Sequence, residues 1–260
     1  MNLLRLLVFL IFCPTAFSQR IDSVTIPFKG VGRTIYIKLP VNYDRSKKRY
    51  PVLYLTDAQN LFSDKTAFAG EWRVDESIDS LRADVIVVGI AHGNEKRFEE
   101  LTAFAHPKYG GGNAPEFLSF ITGEVMPFVN KRYRTRRQPR HTGIGGSSLG
   151  GLFALYALQS IPHHFSRAMV FSPSLWLGEE YYSLIEKSKY VKGKIYLMAG
   201  DSESNTMVDE VQKLQKILEK RLRPGNLKTE IIPGGHHNEK LWRSRFPNAY
   251  LWLFKVSRFF

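Results

Sequence analysis

Short apolar runs alternate with longer helical patterns along most of the chain, and this alternation constrains the possible folds more than any other feature of the sequence. The runs contain few polar residues, as expected for strands that are buried on both faces of a parallel sheet. Strands that alternate with helices predict a doubly wound α/β sheet. The predicted parallel strands are Tyr50–Thr56, Asp84–Ile90, His141–Ile144, Arg167–Phe171, Lys194–Ala199 and Thr229–Ile232.

The first predicted strands differ from these runs. Val31–Leu39 alternates apolar and polar side chains, and Ile21–Phe28 could form the other half of a hairpin with it. A mostly parallel sheet that starts with an antiparallel hairpin predicts an α/β-hydrolase fold. No linker rich in Ser, Pro or Gly interrupts the alternation, so we predict one domain over residues 19–260. The predicted helices are Val74–Arg82, Ala114–Val129, Leu149–Ser160, Glu179–Lys189, Asn205–Arg221 and Glu239–Phe254.

Residues 1–18 have the order of a secretory signal peptide. Arg5 lies in a nearly unbroken apolar run, and the small residues Ala16 and Ser18 follow as the expected cleavage pair. The run is shorter than the roughly 20 apolar residues that span a bilayer. We therefore predict a periplasmic or secreted protein with no stable membrane insertion after cleavage. The only cysteine, Cys13, would leave with the signal; lipid anchoring there stays open, although the bulky Phe12 disfavours it.

The chain carries an excess of positive charge, with 37 Lys and Arg against 24 Asp and Glu. Six of these basic residues fall within Lys131–Arg140. Such a run is compatible with a nucleic-acid or anionic-surface patch, but no regular interleaving of aromatic and basic residues accompanies it. We interpret it as the solvated end of a helix and the loop that follows, and predict no nucleic-acid partner.

One motif indicates chemistry. Gly146-Ser147-Ser148-Leu149-Gly150 is a G-x-S-x-G pattern between a predicted strand and a predicted helix. A strand that turns sharply into a helix forces the central serine into strained geometry and exposes its hydroxyl, and the flanking glycines avoid collisions. The spacing selects Ser148 over Ser147 as the nucleophile and excludes a phosphate-binding loop.

A serine nucleophile needs a base, and the base needs a carboxylate that orients it. On this fold the order along the chain is serine, acid, histidine. The pair His236 and His237 follows the last predicted strand and offers the base, whereas His163 and His164 are expected in an exposed turn. Asp201 and Glu203 both follow the preceding strand and offer the acid. No H-E-x-x-H or other metal-ligand spacing occurs, so no cofactor or metal is predicted.

Several segments of the mature chain match one known pattern and occur in the same order along the chain. Ala58 stands in place of a usual glycine. The segments are Tyr54–Phe62 (YLTDAQNLF), Val88–Ile90 with Arg97 and Glu100, Gly146–Gly151, Phe171–Trp176 (FSPSLW) and Gly235–Pro247 (GHHNEKLWRSRFP). In these segments the chain resembles the putative-esterase family of α/β hydrolases. That family includes feruloyl esterases, S-formylglutathione hydrolases, mycolyltransferases and ferric-siderophore esterases.

The resemblance implies His237 rather than His236 as the base, and Glu203 rather than Asp201 as the acid. A Ser-His dyad without an acid stays open, because some siderophore esterases of the family work that way. The expected oxyanion hole consists of the backbone N–H groups of Gln59 and Leu149.

Four further residues near the expected site have candidate roles. Trp176, Asn60 and Arg97 are candidate substrate contacts, although Trp176 could equally be a loop-packing aromatic. Arg97 could instead simply pair with Glu100 at the surface, and Asp57 is expected to brace its own loop.

Together these features predict an exported serine esterase that forms an acyl-enzyme. Its partner would be a small-molecule or glycan-linked ester, with siderophore lactones and feruloyl or acetyl esters as candidates. Two alternatives stay open: an acyltransferase that uses the same triad, and a non-catalytic binding module on a hydrolase fold.

Overall fold

A computed structural model describes residues 21–254, so the predicted signal peptide and Cys13 lie outside the described residues. Within residues 21–254 one sheet contains eight strands in the order β1-β2-β4-β3-β5-β6-β7-β8. The strands are β1 (Ile21–Phe28), β2 (Val31–Lys38), β3 (Val52–Thr56), β4 (Ile86–Ile90), β5 (Thr142–Ser147), β6 (Arg167–Phe171), β7 (Lys194–Gly200) and β8 (Leu227–Ile232).

The predicted fold class is confirmed. β1 and β2 form an antiparallel hairpin in which Phe28 pairs with Val31, and β2 is also antiparallel to β4. From β4 to β8 every neighbouring pair is parallel. The short apolar runs therefore form the centre of the sheet, where both faces are covered.

The helices follow the predicted order. Their bounds are α1 (Val74–Ser80), α2 (Arg97–Leu101), α3 (Ala114–Phe120), α4 (Met126–Arg132), α5 (Leu149–Ser160), α6 (Glu180–Glu186), α7 (Met207–Glu219) and α8 (Glu239–Phe254). The sequence predicted α5 to the residue, and α8 begins at the predicted Glu239 and reaches Phe254, the last described residue. The single helix expected at 114–129 instead continues to Arg132 through a π-helical segment, Ile121–Val125. The short helix α2 was not predicted.

Two hydrophobic layers cover the two faces of the sheet. Successive residues of β3 pack into opposite layers. Val52 and Tyr54 pack on one side of the sheet, and Leu53 and Leu55 pack on the other. Helices α3 to α7 contribute to the first layer, and α1 and α8 contribute to the second. This is the doubly wound arrangement that the strand-helix alternation predicts.

The parallel strands all end at one edge of the sheet, so the loops that follow them converge there. Ser148 follows β5, the FSPSLW loop follows β6, Glu203 follows β7 and His237 follows β8. Among residues 21–254, no helix is long and apolar enough to cross a membrane.

Candidate active site

Ser148 is the single residue that links β5 to α5, and its backbone conformation is strained. Its φ is 57° and its ψ is −121°, a positive-φ conformation that a non-glycine residue rarely adopts. Its N–H donates to Phe171 O at 2.9 Å and its carbonyl accepts from Ser174 N at 3.3 Å, so neighbouring β6 and the loop after it hold the turn.

The glycines beside Ser148 allow the turn to pack closely. A β-carbon on Gly146 or on Gly150 would collide with Oγ1 of Thr56, the last residue of β3. The G-x-S-x-G pattern therefore has a direct steric cause here: the chain passes too close to β3 for any side chain at either glycine.

Glu203 and His237 form a close pair across the loops after β7 and β8. His237 Nδ1 lies 2.6 Å from Glu203 Oε2. The Glu203 side chain is only 1% exposed, whereas the imidazole is 36% exposed. A carboxylate accepts a hydrogen bond, so Nδ1 carries the proton and Nε2 keeps its lone pair for another partner.

His236 and Asp201, the other candidates for the base and the acid, make different contacts. His236 Nδ1 lies 3.1 Å from the carbonyl of Ser202, away from the carboxylate of Glu203. Asp201 Oδ1 accepts from Gly234 N at 2.8 Å and from Ser202 Oγ at 2.9 Å. Asp201 and His236 thus connect the β7 and β8 loops to each other.

A buried hydrogen-bond chain fixes the other oxygen of Glu203. Ser172 Oγ and Gly200 N both donate to Glu203 Oε1 at 2.6 Å. Trp242 Nε1 donates in turn to Ser172 Oγ at 2.8 Å, and its ring meets the His237 ring edge to face at 5.0 Å. Ser172 is fully buried, so its hydrogen bond to the carboxylate is shielded from solvent.

The Ser148 hydroxyl has a different partner. Its Oγ lies 3.2 Å from Ser174 Oγ, and Ser174 is 4% exposed. Within the described part of the chain, Ser148 makes no hydrogen bond to His237. The contacts of Ser172 and Ser174, both in the FSPSLW segment, were not predictable from the sequence, because their partners lie on other loops.

The backbone N–H groups expected to form an oxyanion hole lie at two separate turns. Leu149 is the first residue of α5, so its N–H has no acceptor within the helix. Gln59 lies in a short 3₁₀ turn, Ala58–Asn60. Its side-chain amide both donates to His92 O and accepts from His92 N, each at 3.1 Å, which ties the turn to the loop after β4.

Arg97, a candidate substrate contact, pairs with Asp57, so the alternative in which it pairs with Glu100 is wrong. Two nitrogens of Arg97 donate to the two carboxylate oxygens of Asp57 at 2.7 and 2.8 Å. Burial alone would lower the pKa of Arg97, but the negative charge of Asp57 raises it. Glu100 instead accepts from Arg33 in a buried pair at 2.8 and 2.5 Å, because the strand β2 passes beside α2.

Asn60 connects two loops through its side chain. Its Oδ1 accepts from Phe68 N at 3.0 Å, and its Nδ2 donates to Glu239 Oε1 at 3.4 Å. Burial raises the pKa of Glu239, which begins α8 next to the His237 loop. The polar atoms of Asn60 are thus occupied by protein partners, and its expected substrate contact has no support from these bonds.

Trp176 lies at an exposed aromatic cluster beside the loop of Ser174. It is 53% exposed, and its ring meets the Tyr109 ring edge to face at 5.8 Å. Tyr109 also stacks on His106 at 4.8 Å. His106 and Tyr109 could not be predicted as members of this cluster, since they lie in an irregular segment after α2.

Across the described residues 21–254, no group of three or more His, Cys, Asp or Glu side chains is placed to hold a metal ion.

Comparisons with known proteins indicate the family and the fold of the chain. Residues 30–253 match the model of a family described as "Putative esterase". The uncharacterised protein YbbA of Bacillus subtilis is 24% identical over 246 residues, which is 88% of this chain and 96% of that protein. A siderophore triacetylfusarinine C esterase of Aspergillus fumigatus is 33% identical over 160 residues, 57% of this chain and 53% of that protein. The solved BES protein of Bacillus cereus has a similar fold, with a TM-score of 0.74 at 20% identity over 98% of this chain and 100% of that chain.

Proposed function

The chain belongs to the family described as putative esterase, and on that premise we propose that it is a serine ester hydrolase acting through an acyl-enzyme intermediate. One observation carries the proposal: a strained, glycine-flanked serine lies on the same sheet edge as a histidine hydrogen-bonded at 2.6 Å to a buried carboxylate. Ser148 is the proposed nucleophile, His237 the base and Glu203 the orienting acid.

In the first half of the reaction, Ser148 Oγ attacks the ester carbonyl carbon while its proton passes to His237 Nε2. Glu203 accepts the Nδ1–H bond, which holds the required tautomer and stabilises the imidazolium that forms. The N–H groups of Gln59 and Leu149 are the proposed donors to the developing oxyanion. Collapse of the tetrahedral intermediate expels the alcohol, which takes the proton from His237 and leaves the acyl group on Ser148.

In the second half, water attacks the acyl carbon while its proton passes to His237, and the acid product leaves as Ser148 recovers the proton. Before the first step the Ser148 hydroxyl must turn from Ser174 towards the imidazole. Such loose geometry is common before substrate binds, because catalytic hydrogen bonds tighten only in the complex.

The substrate class is proposed from the aromatic cluster and the relatives. Trp176 and Tyr109 offer exposed ring surface at the loop that carries Ser174, which supports an ester with an aryl or bulky acyl group. The relative named as a siderophore esterase supports a siderophore ester as the first candidate. Feruloyl and acetyl-glycan esters remain in the set to be tested.

The test is an ester panel on the mature protein: p-nitrophenyl acetate, a feruloyl ester and a siderophore trilactone. Ser148→Ala should lose about 10⁴-fold or more of kcat/KM, because members of a triad act as a unit. Ser147→Ala is the matched control and should keep most of the activity. A serine-reactive phosphonate should label Ser148; labelling of another residue, or undiminished turnover by Ser148→Ala, contradicts the proposal.

Two other outcomes separate the alternatives. If the acyl group passes to an added alcohol in preference to water, the protein is an acyltransferase with the same nucleophile. If no ester is turned over and the phosphonate does not react, the binding-module alternative holds.

A further inference from the structure

The excess positive charge of residues 21–254 lies in two short segments, which the proposed esterase chemistry does not use. Residues 44–49 and 131–140 together carry ten Lys or Arg and one Asp. The other residues of the described range 21–254 carry 23 basic and 23 acidic side chains. We call residues 44–49 and 131–140 the basic edge, because they account for the whole excess of the described chain.

Backbone contacts hold the two segments of the basic edge side by side. Tyr50 N donates to Arg134 O at 2.8 Å, and Arg136 N donates to Tyr50 O at 2.7 Å. The Arg134 guanidinium also lies over the Tyr43 ring, 3.7 Å from its centre. The charges are therefore brought together by the folded backbone before any ligand arrives.

Four exposed arginines surround a concavity of about 590 Å³ on this edge, lined also by Thr135, Gln138 and His141. Each guanidinium donates to a neutral acceptor: Arg49 to Thr135 O, Arg136 to Arg49 O, Arg137 to Asn130 O and Arg140 to His141 Nε2. Lys48 has a carboxylate partner, Asp84 at 2.9 Å. Among residues 21–254, none of the four arginines forms an ion pair.

The neutral partners leave most donors of these arginines unused. A guanidinium has five N–H groups in a planar fork that matches phosphate oxygens. Burial and the charges of Arg136, Arg140 and Arg167 lower the pKa of His141, as expected where cations gather without a counter-charge.

We propose that this concavity is a binding site for a soluble ligand that carries two or more phosphate groups. Arginine forks around a concave surface favour a discrete, multiply charged ligand, since each phosphate can accept two parallel hydrogen bonds. A nucleic acid is less suited, because the tyrosines of this region, Tyr43, Tyr50 and Tyr133, are buried and cannot stack on bases. A membrane surface would need a larger apolar face than the single exposed Val41 nearby.

The site is separate from the proposed active site. Val52 begins β3 and Thr142 begins β5 directly after the two basic segments, whereas Ser148 follows the carboxyl end of β5. The parallel strands thus place the two sites at opposite edges of the sheet. Ligand binding here should leave ester hydrolysis unchanged, so this inference and the proposed function can fail independently.

The test is calorimetric titration of the mature protein with inorganic tripolyphosphate at low and physiological salt. The double variant Arg136→Gln/Arg137→Gln should weaken binding at least about tenfold. Lys189→Gln/Lys192→Gln removes the same charge from exposed positions elsewhere and should change Kd less than about twofold. Arg136→Lys/Arg137→Lys should fall between, since lysine keeps the charge and loses the fork. Circular dichroism serves as the folding control for all variants, so that the test does not depend on ester hydrolysis.

Four results would overturn the inference. These are no measurable binding of tripolyphosphate, an equal loss in the Lys189/Lys192 control, binding by the lysine double variant as tight as wild type, or tighter binding of anionic phospholipid vesicles or single-stranded DNA than of tripolyphosphate. The last two would indicate unspecific charge attraction or a different class of partner.

Discussion

His236 and His237 are neighbours in the chain, but their rings contact different groups. The His237 imidazole meets the buried carboxylate of Glu203, whereas His236 meets the backbone carbonyl of Ser202. We expect His237→Ala to lose about as much kcat/KM as Ser148→Ala, because without a base the hydroxyl is nearly inert at neutral pH. His236→Ala should cost far less, since it removes only a loop contact.

The same comparison applies to the two carboxylates. Glu203→Gln should lower kcat more than Asp201→Asn, because Asp201 bonds Gly234 and Ser202 and does not reach the imidazole. Steady-state kinetics of the four variants, with circular dichroism as the folding control, check both pairs. A greater loss for His236→Ala than for His237→Ala would reverse the assignment, and an unchanged kcat in Glu203→Gln would favour the Ser-His dyad.

Ser172 is a positioning residue in the proposed mechanism. It donates to Glu203 and accepts from Trp242, so Ser172→Ala loses a bond to the acid and leaves the indole N–H without an acceptor. We expect kcat to fall about tenfold with KM nearly unchanged, and stability to fall by about 1–3 kcal/mol. Ser244→Ala, an exposed serine on α8, is the control for a Ser-to-Ala change. A rise in KM with constant kcat would contradict the positioning role.

Helix α1 contains a buried carboxyl group, Asp75, with one oxygen that lacks a hydrogen-bond partner in the described chain. Asp75 is 3% exposed, and the oxygen without a partner is Oδ1. Burial, together with the neighbouring Glu76, raises the pKa of Asp75 to about 7. Protonated Asp75 therefore favours the folded state at low pH, and this contribution is lost as the pH rises through 7.

Asp75→Asn keeps a neutral side chain at every pH and should avoid that loss. We expect the free energy of unfolding of the variant to exceed that of the wild type by up to about 2 kcal/mol. The difference should grow from near pH 4 and stay constant above pH 7. Urea unfolding at pH 4.5 and 8.5 measures the difference. Asp209→Asn, in the first turn of α7 but exposed, is the matched control. The same difference between variant and wild type at both pH values would contradict the prediction.

Elements were predictable from the sequence where local patterns determine them. The apolar runs identified the parallel strands, α5 was predicted to the residue, and α8 begins where it was predicted to begin, at Glu239. The π-helical segment after α3 and the five-residue helix α2 were not predictable, since neither has a periodic pattern of its own.

The contacts that could not be predicted from the sequence join residues that are far apart in the chain. Trp242 reaches Ser172 and Arg97 reaches Asp57 only because parallel strands bring their loops to one edge. A single sequence contains no distances between loops, so the alternative Arg97–Glu100 contact rested on proximity in the chain. The resemblance to known motifs aligned His237 and Glu203, whose geometry then came from the fold.

The full chain also carries the predicted signal peptide, which lies outside the described residues. A charged residue followed by an apolar run and a small-residue pair is the pattern that export machinery cleaves. Expressed with its own leader in a bacterial host, the protein should be recovered from the periplasm with an N-terminus at or near Gln19 by Edman sequencing. Leu7→Arg/Leu10→Arg should abolish export, because charges interrupt the apolar run. Retention of Met1 on cytoplasmic protein would contradict the prediction; confirmed cleavage would leave a chain without cysteine, stabilised by its two hydrophobic layers with no disulfide.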